Sequence, residues 1–248
     1  MGRADVHIHS IYSIDGTDTI AEILKQSAQI RLDLISITDH DDVSGSLEAA
    51  EKAGKYGLEV IPGSEVTTKD GHLIALFIEK NIPPHLPLIE SILRIGEMGG
   101  LCVIPHPNSR LAKSLRTEDI RRAVAHPEAS KILVGIEVFT GCLLVNSQTA
   151  PLRGLADQLL LCGFSASDAH TRDMIGSGMV RFSGNTTVDF KRAIHNRSIT
   201  PIVNFRPPKG AVASSWTKRT LAVRRNLFKY LHEVGKFRAN QRRGGTGK

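Results

Sequence analysis

Residues 4–10 read ADVHIHS, and the spacing of the two histidines sets how the rest of the chain is read. In an extended strand residues i and i+2 point to one face. Asp5, His7 and His9 therefore line one side while Val6 and Ile8 bury the other. An apolar strand thus ends by offering two imidazoles to one point. The pattern recurs down the chain: Asp39, His40 and Asp41 follow DLISIT, Glu65 follows LEVIPGS, His106 ends LCVIPH, Glu137 sits within GIEVF, and Asp168 and His170 follow FSAS. Asp15 lies in the turn-like SIDGTD after the first strand, and His72 is the positional outlier, because it opens the run HLIALFI instead of closing it.

Between these apolar runs lie helical patterns such as TIAEILKQSAQIR, SGSLEAAEKAGKYG, LPLIESILRIGEMG, TEDIRRAVA and TAPLRGLADQLLL. Strands alternating with helices predict an α/β protein with a parallel sheet buried on both faces. Seven or eight such units suggest a closed barrel, with an open doubly wound sheet as the other solution. In either, the carboxyl ends of the strands form the ligand-binding face, so the polar residues above converge there.

The 248 residues are 41% apolar, enough for a sizeable core. No apolar leader follows the start MGRADVHIHS, and no run of roughly 18 apolar residues is present, so the expectation is a cytoplasmic globular protein without a transmembrane segment. Cys102, Cys142 and Cys162 are odd in number and lack CxxC spacing, which reads as reduced core thiols rather than a disulfide framework or zinc knuckle. The net charge of +7 is uneven: from Phe205 onward twelve Lys or Arg face Glu233 alone, a net of +11, leaving −4 for residues 1–204. FRPPKG marks the one convincing boundary. The chain divides into a barrel over 1–205 and a basic helical extension with a disordered tail over 206–248.

Six of the ten histidines belong to the converging set. With the carboxylates they form the mixed nitrogen and oxygen shell suited to divalent transition metals, and there are too many ligands for one ion. Paired ions roughly 3.5–4 Å apart polarise phosphoryl oxygens, lower the pKa of a water and neutralise the leaving oxygen. Glu65 is the candidate bridge between them.

Taken together, DVHIHSIYSIDG, ITDHDDVSG, IPGSEVT with GHLIALF, VIPHP, GIEVF and SASDAH, in that order across residues 5 to about 182, resemble the PHP (polymerase and histidinol phosphatase) superfamily. The resemblance implies a distorted (β/α)7 TIM-like barrel carrying a phosphoesterase centre of two or three divalent ions (Mn, Zn or Fe). It implies His7, His9 and Asp168 on a first ion, Glu65 bridging to a second held by His72 and His106, and a third on Asp15, His40 and His170. Some relatives carry a histidine where Asp15 stands.

Asp39 either steers the His40 ring or caps a turn, Asp41 and Asp42 either join the site or cap the next helix, and Glu137 reads as a supporting or structural carboxylate. Glu65 and, as proton donors, His40 and His170 complete the catalytic set. Arg110 after PHPNS and Arg172 after DAHT are placed to bind a phosphoryl group, ahead of Lys69 and Lys113. The expected reaction is hydrolysis of a phosphate ester of a metabolite, nucleotide or oligonucleotide. The alternative is a metal-binding accessory or regulatory nucleic-acid-binding module without turnover. The basic tail suits a nucleic acid or an anionic membrane surface, or simply packs on the barrel.

Overall fold

The computed structural model of the chain describes residues 1–110, 112–141 and 149–204, together with Thr217, Thr220 and Val223. The extension over 206–248 therefore falls outside the described residues apart from those three positions, as does Cys142. Cys102 and Cys162 are buried free thiols. Among the described residues no helix is long and apolar enough to cross a membrane.

The elements alternate for much of the chain as the periodicity predicts, except that β3, β4 and β5 follow one another directly and β4 and β10 are not among the expected strands. They run β1 (Gly2–Ile8), α1 (Ile20–Gln29), β2 (Leu34–Ile37), α2 (Ser44–Lys52), β3 (Glu59–Val60), β4 (Gly63–Thr67), β5 (His72–Leu76), α3 (Leu88–Glu97), β6 (Leu101–Ile104), α4 (Thr117–Ala125), α5 (Ala129–Ile132), β7 (Leu133–Thr140), α6 (Thr149–Gln158), β8 (Cys162–Ala166), β9 (Gly178–Phe182), α7 (Thr187–His195) and β10 (Thr200–Val203). Helix α1 shows why the local sequence folds this way. Ile20, Ile23, Leu24 and Ser27 recur at helical spacing on its buried face. Thr19 and Glu22 close a reciprocal capping box at its start.

The strands form two five-stranded sheets in the orders β10-β9-β1-β2-β3 and β4-β5-β6-β7-β8. This corrects the expectation of one parallel barrel. Strands β9 and β10 enter the first sheet antiparallel, and β5 runs antiparallel to both of its neighbours, β4 and β6. No continuous ladder closes the ring among the described residues. The sheets meet instead at two isolated parallel bridges, Ile8↔Ala169 and His40↔Glu65. Backbone hydrogen bonds mark both junctions: His9 N–H to Ala169 O (2.8 Å), and Asp41 N–H to Glu65 O (3.0 Å).

Between the sheets, Ala4, Val6 and Leu34 of the first pack with Ile74, Val103 and Phe164 of the second, backed by Phe182 and Phe190. Gly135 on β7 is required by this packing, since any side chain there would run into the Phe164 ring. Outside the first sheet, Ile35 and Ile37 meet the apolar face of α1. Outside the second, Cys102, Ile104 and Val138 meet residues of α3, α4 and α6. Each fully buried Leu, Ile or Phe contributes roughly 1.5–3 kcal/mol. These cores fix both sheets beneath one face, on which the polar residues gather.

Candidate metal centre

Antiparallel pairing resolves the position of His72. It opens β5, and β5 runs against both β4 and β6, so its first residue lies beside the carboxyl ends of those strands. Glu65 needs a correction as well. It lies in the middle of β4, opposite Ile74 of β5, and not in a turn after a strand. Pro62 has no backbone N–H to continue a ladder, and it separates β3 from β4 within the stretch read as LEVIPGS. The hairpin was signalled by KDG between GSEVT and HLIAL, a glycine-containing turn joining two short β-type runs.

All nine predicted ligands, His7, His9, Asp15, His40, Glu65, His72, His106, Asp168 and His170, come together in four overlapping groups. These are His7, His9 and Asp168; His7, Glu65 and His106; His40, Glu65 and His72; and His9, Asp15, His40 and His170. Glu65 is central. Its Oε1 lies 2.9 Å from His72 Nδ1 and 3.0 Å from His106 Nε2. Its Oε2 lies 3.4, 3.3 and 3.2 Å from nitrogens of His7, His9 and His40. Asp168 Oδ1 sits 3.3 Å from His7 and 3.4 Å from His9, and His170 Nε2 lies 3.0 Å from Asp15 Oδ2. His9 and His170 stack at 4.3 Å between ring centroids.

His106 Nε2 and Glu65 Oε1 make a hydrogen bond, but several of the other close atoms do not. Glu65 Oε2, His72 Nδ1 and His170 Nε2 are buried and have no aligned hydrogen-bond partner despite those short distances. Buried polar atoms are normally satisfied, so donors aimed past one another at shared points fit cations held between them. The outer ring nitrogens, by contrast, are anchored. His7 Nδ1–H donates to Glu137 Oε1 (2.8 Å) and His170 Nδ1–H to the Asp168 carbonyl (2.9 Å). His9 Nδ1 meets Ser13 Oγ (3.1 Å) and His106 Nδ1 meets Ser114 Oγ (2.9 Å). For His7 and His170 the acceptor fixes the tautomer and turns the lone pair of Nε2 inward. His7 and His9 then bring two Nε2 atoms within 3.2 Å of each other.

Electrostatics give the same picture. Burial alone would hold the His9 imidazolium down, but the Asp168 and Glu65 carboxylates override it and push its pKa up to about 10. Burial is likewise overridden at His7, raised by Asp168, Glu137 and Glu65, and at His106, raised by Glu65. Burial would raise Glu65 and Asp168, yet the surrounding imidazoles hold both well below the usual carboxylate range. At His170 burial and the His9 charge lower the pKa. Exposure grades across the cluster. The side chains of His7, His9 and Glu65 are 0–1% exposed, against 10% for Asp168, 14% for His72 and 22% for His40, so the centre opens on the side of those three residues.

The supporting carboxylates divide their work. Glu137 takes His7 Nδ1–H on one oxygen, and the backbone N–H of His106 (2.9 Å) and the Thr140 hydroxyl (2.7 Å) on the other. Asp39 does not steer His40; it receives the backbone N–H and the hydroxyl of Ser10, both at 2.6 Å. Asp41 accepts Thr67 N–H (2.6 Å), and Asp42 accepts Ser44 N–H (2.9 Å) at the start of α2. Asp5 is fully buried and binds the N–H groups of Ser167 (3.1 Å) and Gly176 (2.8 Å), fixing the segment that carries Asp168. Desolvation raises its pKa to about 6. Asp168 (φ 52°) and His106 (φ 31°) occupy the left-handed region, a backbone strain at two of the ligand positions. The loop bearing Ser13 and Asp15 closes so tightly that any side chain at Gly16 would strike the Ser10 backbone. Arg110 is exposed on the loop after β6. The contacts of Arg172 are with Glu22 (2.7 Å) and Asp18 (3.7 Å), not with the cluster.

The PHP domain profile matches residues 5–98 and the PHP-associated profile residues 152–199. An uncharacterised protein of Methanocaldococcus jannaschii is 37% identical over 123 residues, 46% of this chain and 72% of that protein. The chain belongs to the PHP superfamily. This PHP protein is also 30% identical over 135 residues to a phosphoribosyl 1,2-cyclic phosphate 1,2-diphosphodiesterase of Eggerthella lenta, a match covering 52% of this chain and half of that enzyme. Its fold superposes on a two-domain protein of Bacteroides vulgatus that contains a predicted PHP-like metal-dependent phosphoesterase. There the TM-score is 0.68 and the identity 20%, over 81% of this chain and 64% of that one.

Glu137 offers a direct test of the outer anchoring. In Glu137→Gln the amide cannot accept from His7, His106 and Thr140 at once, and His7 loses its fixed tautomer. Divalent-metal affinity, followed by competition with a chromophoric chelator, is expected to fall roughly 10- to 100-fold, while the far-UV circular dichroism of the variant matches wild type.

Proposed function

We propose that this PHP protein hydrolyses phosphate esters with divalent metal ions held by His7, His9, Asp15, His40, Glu65, His72, His106, Asp168 and His170. The observation that carries this reading is the convergence of the donor residues around Glu65, with Glu65 Oε2, His72 Nδ1 and His170 Nε2 left without a hydrogen-bond partner and each imidazole of the floor anchored by its outer nitrogen. Divalent ions there supply Lewis-acid polarisation of a phosphoryl oxygen and bring the pKa of a water toward neutrality. The remaining work belongs to the chain. Glu65, touching both halves of the cluster, sets the spacing of the ligands, and Asp168 and Asp15 offset the accumulated positive charge. His40, the most exposed imidazole of the cluster, stands at the opening; it or His170 donates a proton to the leaving alcohol only when it is not committed to an ion. Arg110 reaches the phosphoryl group from the loop after β6. Arg172 takes that part only by leaving Glu22.

The substrate is a small phosphorylated metabolite or a nucleotide. Similarity to a cyclic-phosphate diphosphodiesterase supports including diesters, and the +11 balance after residue 204 supports testing oligonucleotides. The test is metal analysis of the purified protein, with turnover measured on a phosphate monoester, a phosphodiester and 5′-phosphorylated oligonucleotides. Turnover of any of these that needs divalent metal and vanishes in His7→Ala supports the proposal. Absence of turnover on all three with metal bound sinks it. Diester cleavage falling steeply with salt selects a nucleic-acid substrate; salt-indifferent monoester turnover selects a metabolite.

A further inference from the structure

A cavity lies away from the centre, at the opposite end of β8. Its volume is about 540 Å³, within the roughly 300–1,000 Å³ usual for small-molecule sites. Cys162, the first residue of β8, borders it, whereas Asp168 lies two residues past the last; six residues along the chain put the two sites on the order of 15–20 Å apart. The floor is apolar, formed by Val138, Leu161 and Ile199. The polar groups are Arg153 and Asp157 on α6 and Arg197 just past α7. Nearly all of this wall belongs to residues 152–199, the stretch matched by the PHP-associated profile.

The charged side chains stand exposed to solvent at the rim of this cavity. Among the described residues, Arg153, Asp157 and Arg197 make no ion pair, although Arg153 and Asp157 are one helical turn apart. The hydrogen bond of the Arg197 side chain is a long one, from Nη1 to the Leu160 carbonyl (3.4 Å). Two guanidinium forks beside an apolar floor match an anionic head with an apolar body, because each fork presents paired donors suited to phosphate oxygens. The carboxylate of Asp157 adds an acceptor and so selects a body that carries N–H groups.

We propose that this cavity binds a small phosphorylated molecule with a planar, N–H-bearing body, the chemistry of a nucleoside monophosphate. The phosphate engages Arg153 and Arg197, the planar body lies over Leu161 and Ile199, and Asp157 accepts its N–H. This site is independent of the metal-centre reading and is tested in its absence. The probe is AMP, added to the chelator-treated full chain and followed by amide shifts in two-dimensional NMR and by thermal unfolding.

The expected result is that millimolar AMP moves the amides of Leu161, Gly163, Arg197 and Ile199 and raises the melting temperature. In the double variant Arg153→Gln, Arg197→Gln, AMP binding weakens at least tenfold, while the unliganded melting temperature and metal-loaded hydrolysis stay at the wild-type level. Inorganic phosphate alone binds at least tenfold more weakly than AMP. The proposal is overturned by shifts confined to the surroundings of His7 and Asp168, by no shifts at all, by binding indifferent to the two arginines, or by phosphate binding as tightly as AMP.

Discussion

Glu65→Gln lowers metal-dependent phosphoester hydrolysis by about a thousandfold and leaves the purified protein with less bound metal than wild type. Both carboxylate oxygens face the cluster, one toward His72 and His106 and the other toward His7, His9 and His40. Glutamine keeps the shape but removes the charge, and it turns an N–H₂ group toward nitrogens that must themselves donate lone pairs. Metal-assisted stabilisation of a phosphoryl transition state is worth several kcal/mol, and at about 1.4 kcal/mol per tenfold in rate most of that loss gives the predicted factor. The measurement is kcat/KM at saturating metal alongside metal content by mass spectrometry. Wild-type kcat/KM with full metal loading would show that Glu65 is not the bridging ligand.

The second large effect is on pH. In the metal-free protein the His9 pKa stands at about 10, above its ordinary value of 6.5. A group whose folded pKa is raised contributes stability that is complete below the unfolded pKa and is lost as pH rises through the folded one. Stability of the metal-free protein therefore falls between about pH 6.5 and 10, by on the order of a few kcal/mol. His7 and His106 are shifted in the same direction. Divalent ions compete with these protons, so metal affinity rises across the same window by at least tenfold per pH unit. Denaturant unfolding as a function of pH, with chelator and with added Zn²⁺ or Mn²⁺, measures both. A stability that is flat from pH 6.5 to 10 without metal would remove the charged cluster from the account.

Much of the centre could be read from the sequence because strand periodicity is local. His7 and His9 at spacing two, and His40, His106, Asp168 and His170 just beyond short apolar runs, place themselves once the strands are recognised. Glu65 and His72 were harder to place. The reading of LEVIPG as one strand hid the break at Pro62 and the hairpin behind it, in which Glu65 in mid-β4 and His72 at the start of β5 lie diagonally across an antiparallel pair. The anchors Ser13 and Ser114 carry no spacing signal, since their partners come from packing; Ser114 meets His106 only through the loop after β6. Barrel closure was not legible either. Whether two edges pair along their length depends on twist and register, and the alternating run of apolar segments contains neither.

That incomplete closure has a consequence for how the molecule breathes. His7, His9, Asp15 and His40 come from the first sheet and its loops; Glu65, His72, His106, Asp168 and His170 come from the second. The ligand set thus straddles the two seams, where the Ile8–Ala169 and His40–Glu65 bridges, the Asp5–Ser167 hydrogen bond and the shared apolar core join the halves. Cations gripped from both sides act as rivets. Amide protons of His9, Asp41 and Glu65 should exchange with deuterium readily in chelator and become protected when metal is restored, while those in the middle of β7 and β8 hold their protection throughout.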